Sequence, residues 1–372
     1  MIKSVHIISW DIPYPANYGG VIDVFWTLKK LHEQGCKIKL HCFQYGDRFS
    51  SEVLNQYCSQ VFYYPRKTGM MGLHASLPYI VSSRSDKLLL TNLLQDDAPI
   101  IFEGIHSTFL LNEPKLKDRR KILRAQNVEY EYYSQLANNT SLSFKKLYYY
   151  FEAMRLYRYE RSLQNLQAIA TVAMHDFNYF QSLYPTKQVV NIPSFQPDDE
   201  VKSLLGTGNY CLYHGNLSVE ENEKSALFLI QEVFKELDFP LVIAGKNPAD
   251  KLMALQGNHI SVIANPSDEA LNTLIAEAQI HVLPSFQTSG LKLKLLHALF
   301  LGRFCVSNAN MLVGTGLEGA VIVANTAQEF KSSILQYKDR VFEQSDIEHR
   351  NTFLQQYSNK VNASNFIDML SS

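Results

Sequence analysis

Two lysines and a histidine stand inside an apolar run at residues 289–299, SGLKLKLLHAL. Lys292 and Lys294 follow Gly290, and His297 comes about one helical turn later. The preceding IHVLPS reads as a buried strand, and the run beyond Gly290 reads as a helix beginning near Lys292, with Leu293, Leu296, Leu299 and Phe300 toward a core. Cations in a first helical turn oppose the helix dipole and are unfavourable unless an anion is present. A diphosphate answers both problems, because free N–H groups and two ammoniums can hold it together. The alternative is an amphipathic edge strand with solvated lysines. It ranks second because the helical pattern continues through Leu299 and Phe300.

Other segments carry weaker signals. PYPANYGG (13–20) follows the first strand and opens a helix, so Gly19 and Gly20 could let backbone approach an anionic ligand; an ordinary βα turn reads equally well. FEGIHS (102–107) puts Glu103 and His106 at a strand's carboxyl end, the ligand side of an open α/β sheet, with a structural histidine at even weight. GTGLEG (314–319) precedes a strand instead of joining strand to helix, so it reads as a flexible loop on a cleft rim, not a dinucleotide fingerprint. The patterns G-x-x-x-x-G-K-[ST], D-x-D, H-E-x-x-H and G-x-S-x-G do not occur. Cys211 and His214 lack a second ligand pair for zinc. SFKKLYYYFEAMRLYRYERSL (143–163) interleaves aromatic and basic residues; an aromatic stripe packed on its own domain is the favoured reading, with contact to a membrane surface or sugar chain second.

The elements that must position these residues alternate. Strand-like runs SVHIISW, KIKLHCF, QVFYYP, APIIFEG, RKILRAQ, LQAIATVA and KQVVNIPS are separated by helical patterns, including VIDVFWTLKKLHEQ and a long stretch from Glu129 to about Leu166. The pattern restarts at NYCLYHG and continues through FPLVIAG, NHISVIAN, QIHVLPS, RFCVSN and GAVIVAN. The expected fold class is α/β, with two doubly wound Rossmann-like domains facing a shared cleft. The first spans 1–192, a linker 193–209, the second 210–345, and a helical tail 346–372 returns to brace the first. In 372 residues, 46% are hydrophobic and 19% charged, which supports full cores. A net charge of −1 argues against a nucleic-acid binder, and five scattered cysteines suit a reducing, cytoplasmic setting. No apolar run approaches a membrane span.

In this order the segments resemble the GT-B-fold retaining glycosyltransferases of the mannosyltransferase and glycogen-synthase-like family, glycosyl transferases group 1. The resemblance covers nearly the whole chain. It rests on PYPANYGGVIDVFWTLKKLHEQG, EGIHS, LRAQNVEYEYYSQLA, RYERSLQNLQAIATVAMHDFNYF, YHGNLSVEENEKSALFLI, LVIAGK, HVLPSFQTSGLKLKLLHALFLGRFCVSN and GTGLEGAVIVANTAQEF. It implies that His106 lies near the transferred sugar and that Gly19 and Gly20 approach donor phosphate and acceptor. Lys292 and Lys294 would meet the diphosphate, with Thr288, Ser289 and Gly290 beside them. Gly215, Asn216, Lys246 and His297 would contact the nucleotide. Ser289 and His297 occupy positions where the family commonly has glutamates, and Asn216 follows Gly215 where it usually has an arginine.

The implied activity is metal-independent retaining transfer of a hexose, mannose foremost, from a nucleotide sugar to a growing glycan or lipid-linked acceptor in polysaccharide or glycoconjugate biosynthesis. No cofactor or metal is expected, and peripheral contact at the inner membrane face is compatible. The alternatives are a catalytically silent GT-B protein that binds glycan or partners a transferase, and a sugar-nucleotide epimerase using Glu103, Glu129 or Glu131.

Overall fold

The computed structural model describes residues 4–140, 143–257, 259–288 and 292–371. The chain forms two units, Met1–Pro197 with Tyr357–Ser372, and Asp198–Gln356.

The first unit is built on seven parallel strands: β1 (Ser4–Ser9), β2 (Lys37–Gln44), β3 (Gln60–Pro65), β4 (Ile100–Glu103), β5 (Lys121–Ala125), β6 (Ala168–Thr171) and β7 (Gln188–Asn191). Their order is β3-β2-β1-β4-β5-β6-β7, so the winding reverses between β1 and β4. Ile7, Leu40, Ile101 and Ile122 pack on one face, and Ile8, Phe43, Phe102 and Leu123 on the other. Burial on both faces is why these strands read as near-continuous apolar runs. Helix Gly19–Glu33 places Val24, Phe25, Leu28 and Leu31 on the first face. Gly35, at a φ of 85°, turns the chain just beyond it.

Asp23 of that helix forms a fully buried ion pair with Arg124 of β5 at 3.0 Å. Asp23 also accepts the Phe195 N–H at 2.7 Å, and Arg124 donates to the Pro193 carbonyl at 3.1 Å. Residues 193–196, expected in a loose linker, are therefore clamped into the first unit. Further along the same segment, Lys202 and Gly206 hydrogen-bond to Phe300 and Phe342 of the second unit's own fold.

The tail also divides. Helix Gln344–Leu354 stays with the second unit, where Arg350 donates to the Leu299 and Gly302 carbonyls at 2.9 and 2.7 Å. Helix Asn359–Ser371 packs Ala363, Phe366, Met369 and Leu370 into the first unit.

The aromatic stretch departs from its favoured reading. It lies in helix Phe144–Glu160, capped by Ser143, and follows a first helix, Glu129–Asn139. Helix Phe144–Glu160 buries Glu152, Ala153, Leu156, Tyr159 and Glu160. Its outward side carries Phe144 (94% exposed), Leu147, Tyr150, Phe151, Met154 and Tyr157. Glu152 and Glu160 turn inward because their carboxylates accept the N–H groups of Ile80 and Glu129, which leaves the apolar stripe facing out.

The second unit has β8 (Cys211–Asn216), β9 (Leu241–Lys246), β10 (Ile260–Ala264), β11 (Ile280–Leu283), β12 (Phe304–Ser307) and β13 (Ile322–Val323), ordered β10-β9-β8-β11-β12-β13. Here the winding reverses between β8 and β11. Helix Glu220–Phe228 runs into a π-turn at Leu229–Val233, and Ala226, Leu229, Ile230, Val233 and Phe234 are buried, as the periodicity predicts. GTGLEG forms a turn in which Gly314 and Gly316 take φ of 73° and 65°, with Thr315 and Leu317 buried and the other four residues exposed.

Candidate functional site

The chemistry-bearing residues gather at the two winding reversals, where adjacent strands send their following loops apart and leave a crevice at the carboxyl ends. In the second unit that point lies between β8 and β11. The loop after β11 is fastened by Glu221, whose carboxylate accepts Ser285 Oγ at 2.8 Å and the Phe286 N–H at 3.2 Å. It leads into helix Leu293–Leu301, with Lys292 at the N-cap position and no side chain capping it among the described residues. Leu295, Leu296, Ala298, Leu299 and Phe300 are buried; Leu295 takes the inward place expected for Leu293. The edge-strand alternative is thereby set aside.

Lys294 is held by Asn222 Oδ1 at 2.7 Å and Tyr213 Oη at 3.2 Å, with its ammonium 5.1 Å from the Tyr213 ring centre. Lys292 donates to the Gln287 carbonyl at 3.2 Å. Burial lowers both ammonium pKa values, Lys292 to about 8, with Glu221 opposing the shift. Two half-buried cations thus stand at the start of this helix. His297 lies one turn on, its ring 5.9 Å from that of His214. Burial brings His297 down to about 4, so it is neutral at pH 7 and offers hydrogen bonds, not charge.

Asn216 and Lys246 end β8 and β9 in register, and both are exposed there. Gly215 and Gly245 lie side by side just before them. A Cβ on Gly245 would sit 1.8 Å from the Gly215 carbonyl oxygen, so close strand packing dictates that glycine. Thr288 is exposed, and Ser289 and Gly290 lie outside the described residues.

In the first unit the reversal lies between β1 and β4, and a cavity of about 230 Å³ opens beside it. Trp10, just after β1, meets His106, just after β4, with ring centres 5.6 Å apart. Arg66, Arg84, Tyr45 and Tyr133 complete most of the wall. His106 Nδ1 is buried with no hydrogen-bond partner among the described residues. Burial, reinforced by Arg84 and Arg66, holds this imidazole well below its ordinary pKa and keeps it neutral.

Gly19 begins helix Gly19–Glu33. A Cβ on Gly20 would lie 2.5 Å from the Trp10 indole, so the absent side chain there makes room for tryptophan. The loop between is pinned by Arg48, which donates to the Ile12 and Pro15 carbonyls at 2.8 and 2.6 Å.

The carboxylates considered for epimerase chemistry are not in this cavity. Glu103 and Glu129 are sealed in the interior, where burial raises both pKa values and favours the neutral acids, while Glu131 pairs with His175 at 2.7 Å nearer the surface. Arg66, Arg84, Tyr133 and Asn222 were missed by sequence reasoning. Arg66 directly follows β3 and was readable as a strand-end residue; Arg84 carries no local signal.

Compared with known proteins, residues 208–339 match the family model for glycosyl transferases group 1. An uncharacterized 44.6 kDa protein in the cps region of Klebsiella pneumoniae is 28% identical over 361 residues, covering 91% of this chain and 92% of the relative. Sucrose-phosphate synthase from Thermosynechococcus elongatus superposes with a TM-score of 0.68 at 13% identity, over 99% of this chain and 98% of that one. TarM gives 0.67 at 10% identity, over 100% and 99%. UGT89C1 of Arabidopsis thaliana, solved with UDP, gives 0.58 at 11%, over 99% of each chain. At such identities the likeness is one of fold, and that fold is GT-B.

Proposed function

We propose that this chain is a glycosyltransferase that uses a nucleotide-sugar donor, with the diphosphate held at the β8/β11 reversal of the second unit. The observation that carries the reading is the pair Lys292 and Lys294, both half-buried at the start of helix Leu293–Leu301. Departure of a nucleoside diphosphate develops negative charge on its phosphate oxygens. Cations and N–H groups already fixed around that point stabilise the charge without reorganising. Because lysines supply the charge, the reading is of metal-independent transfer. Retention of configuration, with the acceptor attacking on the face the diphosphate leaves, is proposed from the family resemblance. A hexose, mannose foremost, is the proposed cargo. A glycan under assembly is the proposed acceptor, a choice supported by the cps-region relative.

Calorimetric titration with UDP and GDP tests the donor site. Lys292→Met with Lys294→Met should abolish binding while leaving the melting temperature near that of the wild type; unchanged affinity removes the phosphate role. The silent-protein reading is favoured by neutral His297 and by uncharged Asn216. Release of free nucleoside diphosphate from any of several nucleotide sugars rules it out.

The outward stripe of helix Phe144–Glu160 supports a membrane-surface role. Lys145, Lys146, Arg155 and Arg158 flank Phe144, Leu147, Phe151 and Met154, a pattern suited to an anionic lipid surface. Met70 and Met71 are exposed in the nearby segment leading to Tyr79, whose ring meets Tyr148. The protein should co-sediment with vesicles containing phosphatidylglycerol, and Phe144→Ser with Leu147→Ser and Phe151→Ser should lose this. Equal recovery of that variant and the wild type with vesicles refutes it. Among the described residues no helix is long and apolar enough to cross a membrane.

A further inference from the structure

The first unit's cavity has an unusual charge balance for a pocket walled by aromatic rings. Arg84 is 4% exposed, and its guanidinium is only partly used by the protein. Its Nε donates to the Trp10 carbonyl at 2.8 Å and its Nη1 to the Ile80 carbonyl at 2.7 Å. Nη2 meets no acceptor among the described residues. Arg66 stacks on Tyr45, with its guanidinium carbon 4.5 Å from the ring centre, and donates through Nε to Ser83 Oγ at 3.3 Å. Its two terminal nitrogens likewise meet no acceptor among the described residues.

The one carboxylate in the wall, Asp11, is already committed. It accepts Tyr18 Oη at 2.6 Å and the Ile12 N–H at 2.8 Å, and Arg48 lies 3.6 Å away. No carboxylate pairs with either Arg66 or Arg84 among the described residues. The two guanidiniums also repel one another, and burial with that repulsion lowers Arg84 to about 9. A buried cation without a counter-ion is costly, and breaking or omitting its partner is destabilising. His106 lines the same cavity, and its buried Nδ1 has no hydrogen-bond partner among the described residues.

We infer that this cavity binds an acidic sugar, with Arg66 and Arg84 gripping its carboxylate or phosphate and the aromatic rings of Trp10, Tyr45 and Tyr133 covering the sugar ring. A guanidinium pair matches planar or multi-oxygen anions through paired N–H donors, which an ammonium does not. His106 then meets a sugar hydroxyl as a neutral imidazole. A volume of about 230 Å³ suits a single sugar residue. The transfer reaction proposed above thus acquires an acceptor class, an anionic glycan terminus. The inference rests on that reading only where it names the bound sugar an acceptor.

The experiment is a titration of the full chain, followed by calorimetry and by ligand-observed NMR. The probes are glucuronate and galacturonate for carboxylates, glucose 6-phosphate for a phosphate ester, and glucose and galactose as neutral controls. Acetate and inorganic phosphate separate sugar recognition from simple anion binding. At least one acidic sugar should bind about tenfold or more tighter than its neutral counterpart. Arg66→Gln should weaken it by roughly 10- to 100-fold, the weight of one or two charge-assisted hydrogen bonds. Because Arg84 also holds two backbone carbonyls, Arg84→Gln is read only alongside a melting curve, and the half-exposed Arg66 carries the decision.

Neutral sugars binding as well as acidic ones overturns the inference, as does Arg66→Gln with unchanged affinity. So does the absence of acidic-sugar binding in a protein that binds UDP or GDP normally. Acidic-sugar binding without nucleotide binding keeps the pocket and removes the transferase reading.

Discussion

Lys292 should make donor binding sensitive to pH just above neutrality. Burial brings its ammonium down to about 8, with Glu221 favouring the charged form and Lys294 opposing it. At pH 7 roughly nine-tenths of these side chains are charged, and at pH 9 roughly one-tenth. A ligand that needs the ammonium therefore loses about tenfold in affinity across that interval, or about 1.4 kcal/mol. The ligand's own charge changes little there, since a terminal phosphate has a second pKa near ~6.

Calorimetry with UDP and GDP at both pH values, in buffers of different ionisation enthalpy, reads affinity and proton uptake together. The wild type should take up close to one proton on binding at pH 9. Lys292→Arg stays charged throughout and should show a shallower pH slope with less uptake. Lys292→Met should be weaker at pH 7 by about 1.5–3 kcal/mol, with a similarly shallow slope. Lys294, also lowered by burial, is present in all three proteins, so the comparison isolates Lys292. If wild type and Lys292→Arg lose affinity in parallel, with equal proton uptake, Lys292 does not meet the phosphate.

Gly245→Ala should lower the melting temperature and weaken nucleotide binding together, because its Cβ would collide with the Gly215 carbonyl at 1.8 Å and push the ends of β8 and β9 apart. Arg124→Met should cost about 3–5 kcal/mol in denaturant unfolding, since it strands the Asp23 carboxylate in the core; a cost below 1 kcal/mol contradicts this. Glu103 is held as the neutral acid by burial, so its folded pKa lies above its unfolded value. Its contribution is complete at acid pH and is lost as pH rises from the ordinary carboxylate range toward the raised one. Melting temperatures of wild type and Glu103→Gln, measured from about pH 5 to about pH 9, should therefore diverge upward, with the wild type falling further.

Much of the architecture was legible from local pattern. Strands buried on both faces read as short apolar runs, helices as a 3.6-residue period, and every strand named from the sequence is present. The lysines were legible too, because cations at a helix start contradict the dipole and so ask for an anion. Sequence also directed attention to His106 through its place after a strand.

What sequence could not supply is the company these residues keep. Arg66 and Arg84 are separated along the chain from Trp10 and His106. Arg66, Trp10 and His106 follow strands whose carboxyl ends share one edge of the parallel sheet, and Arg84, just beyond helix Tyr79–Ser82, is tied to that edge by its bond to the Trp10 carbonyl. The outward turn of helix Phe144–Glu160 was misread for the same reason. Its composition suggested a buried aromatic stripe, yet Glu152 and Glu160 are drawn inward by backbone N–H groups of distant segments. The identities of Lys292 and Lys294 were already in SGLKLKLLHAL. Their half-buried setting, with Asn222 and Tyr213 fixing one ammonium and Glu221 biasing the other, was decided by the tertiary fold, since a charge's solvation depends on what surrounds it in space.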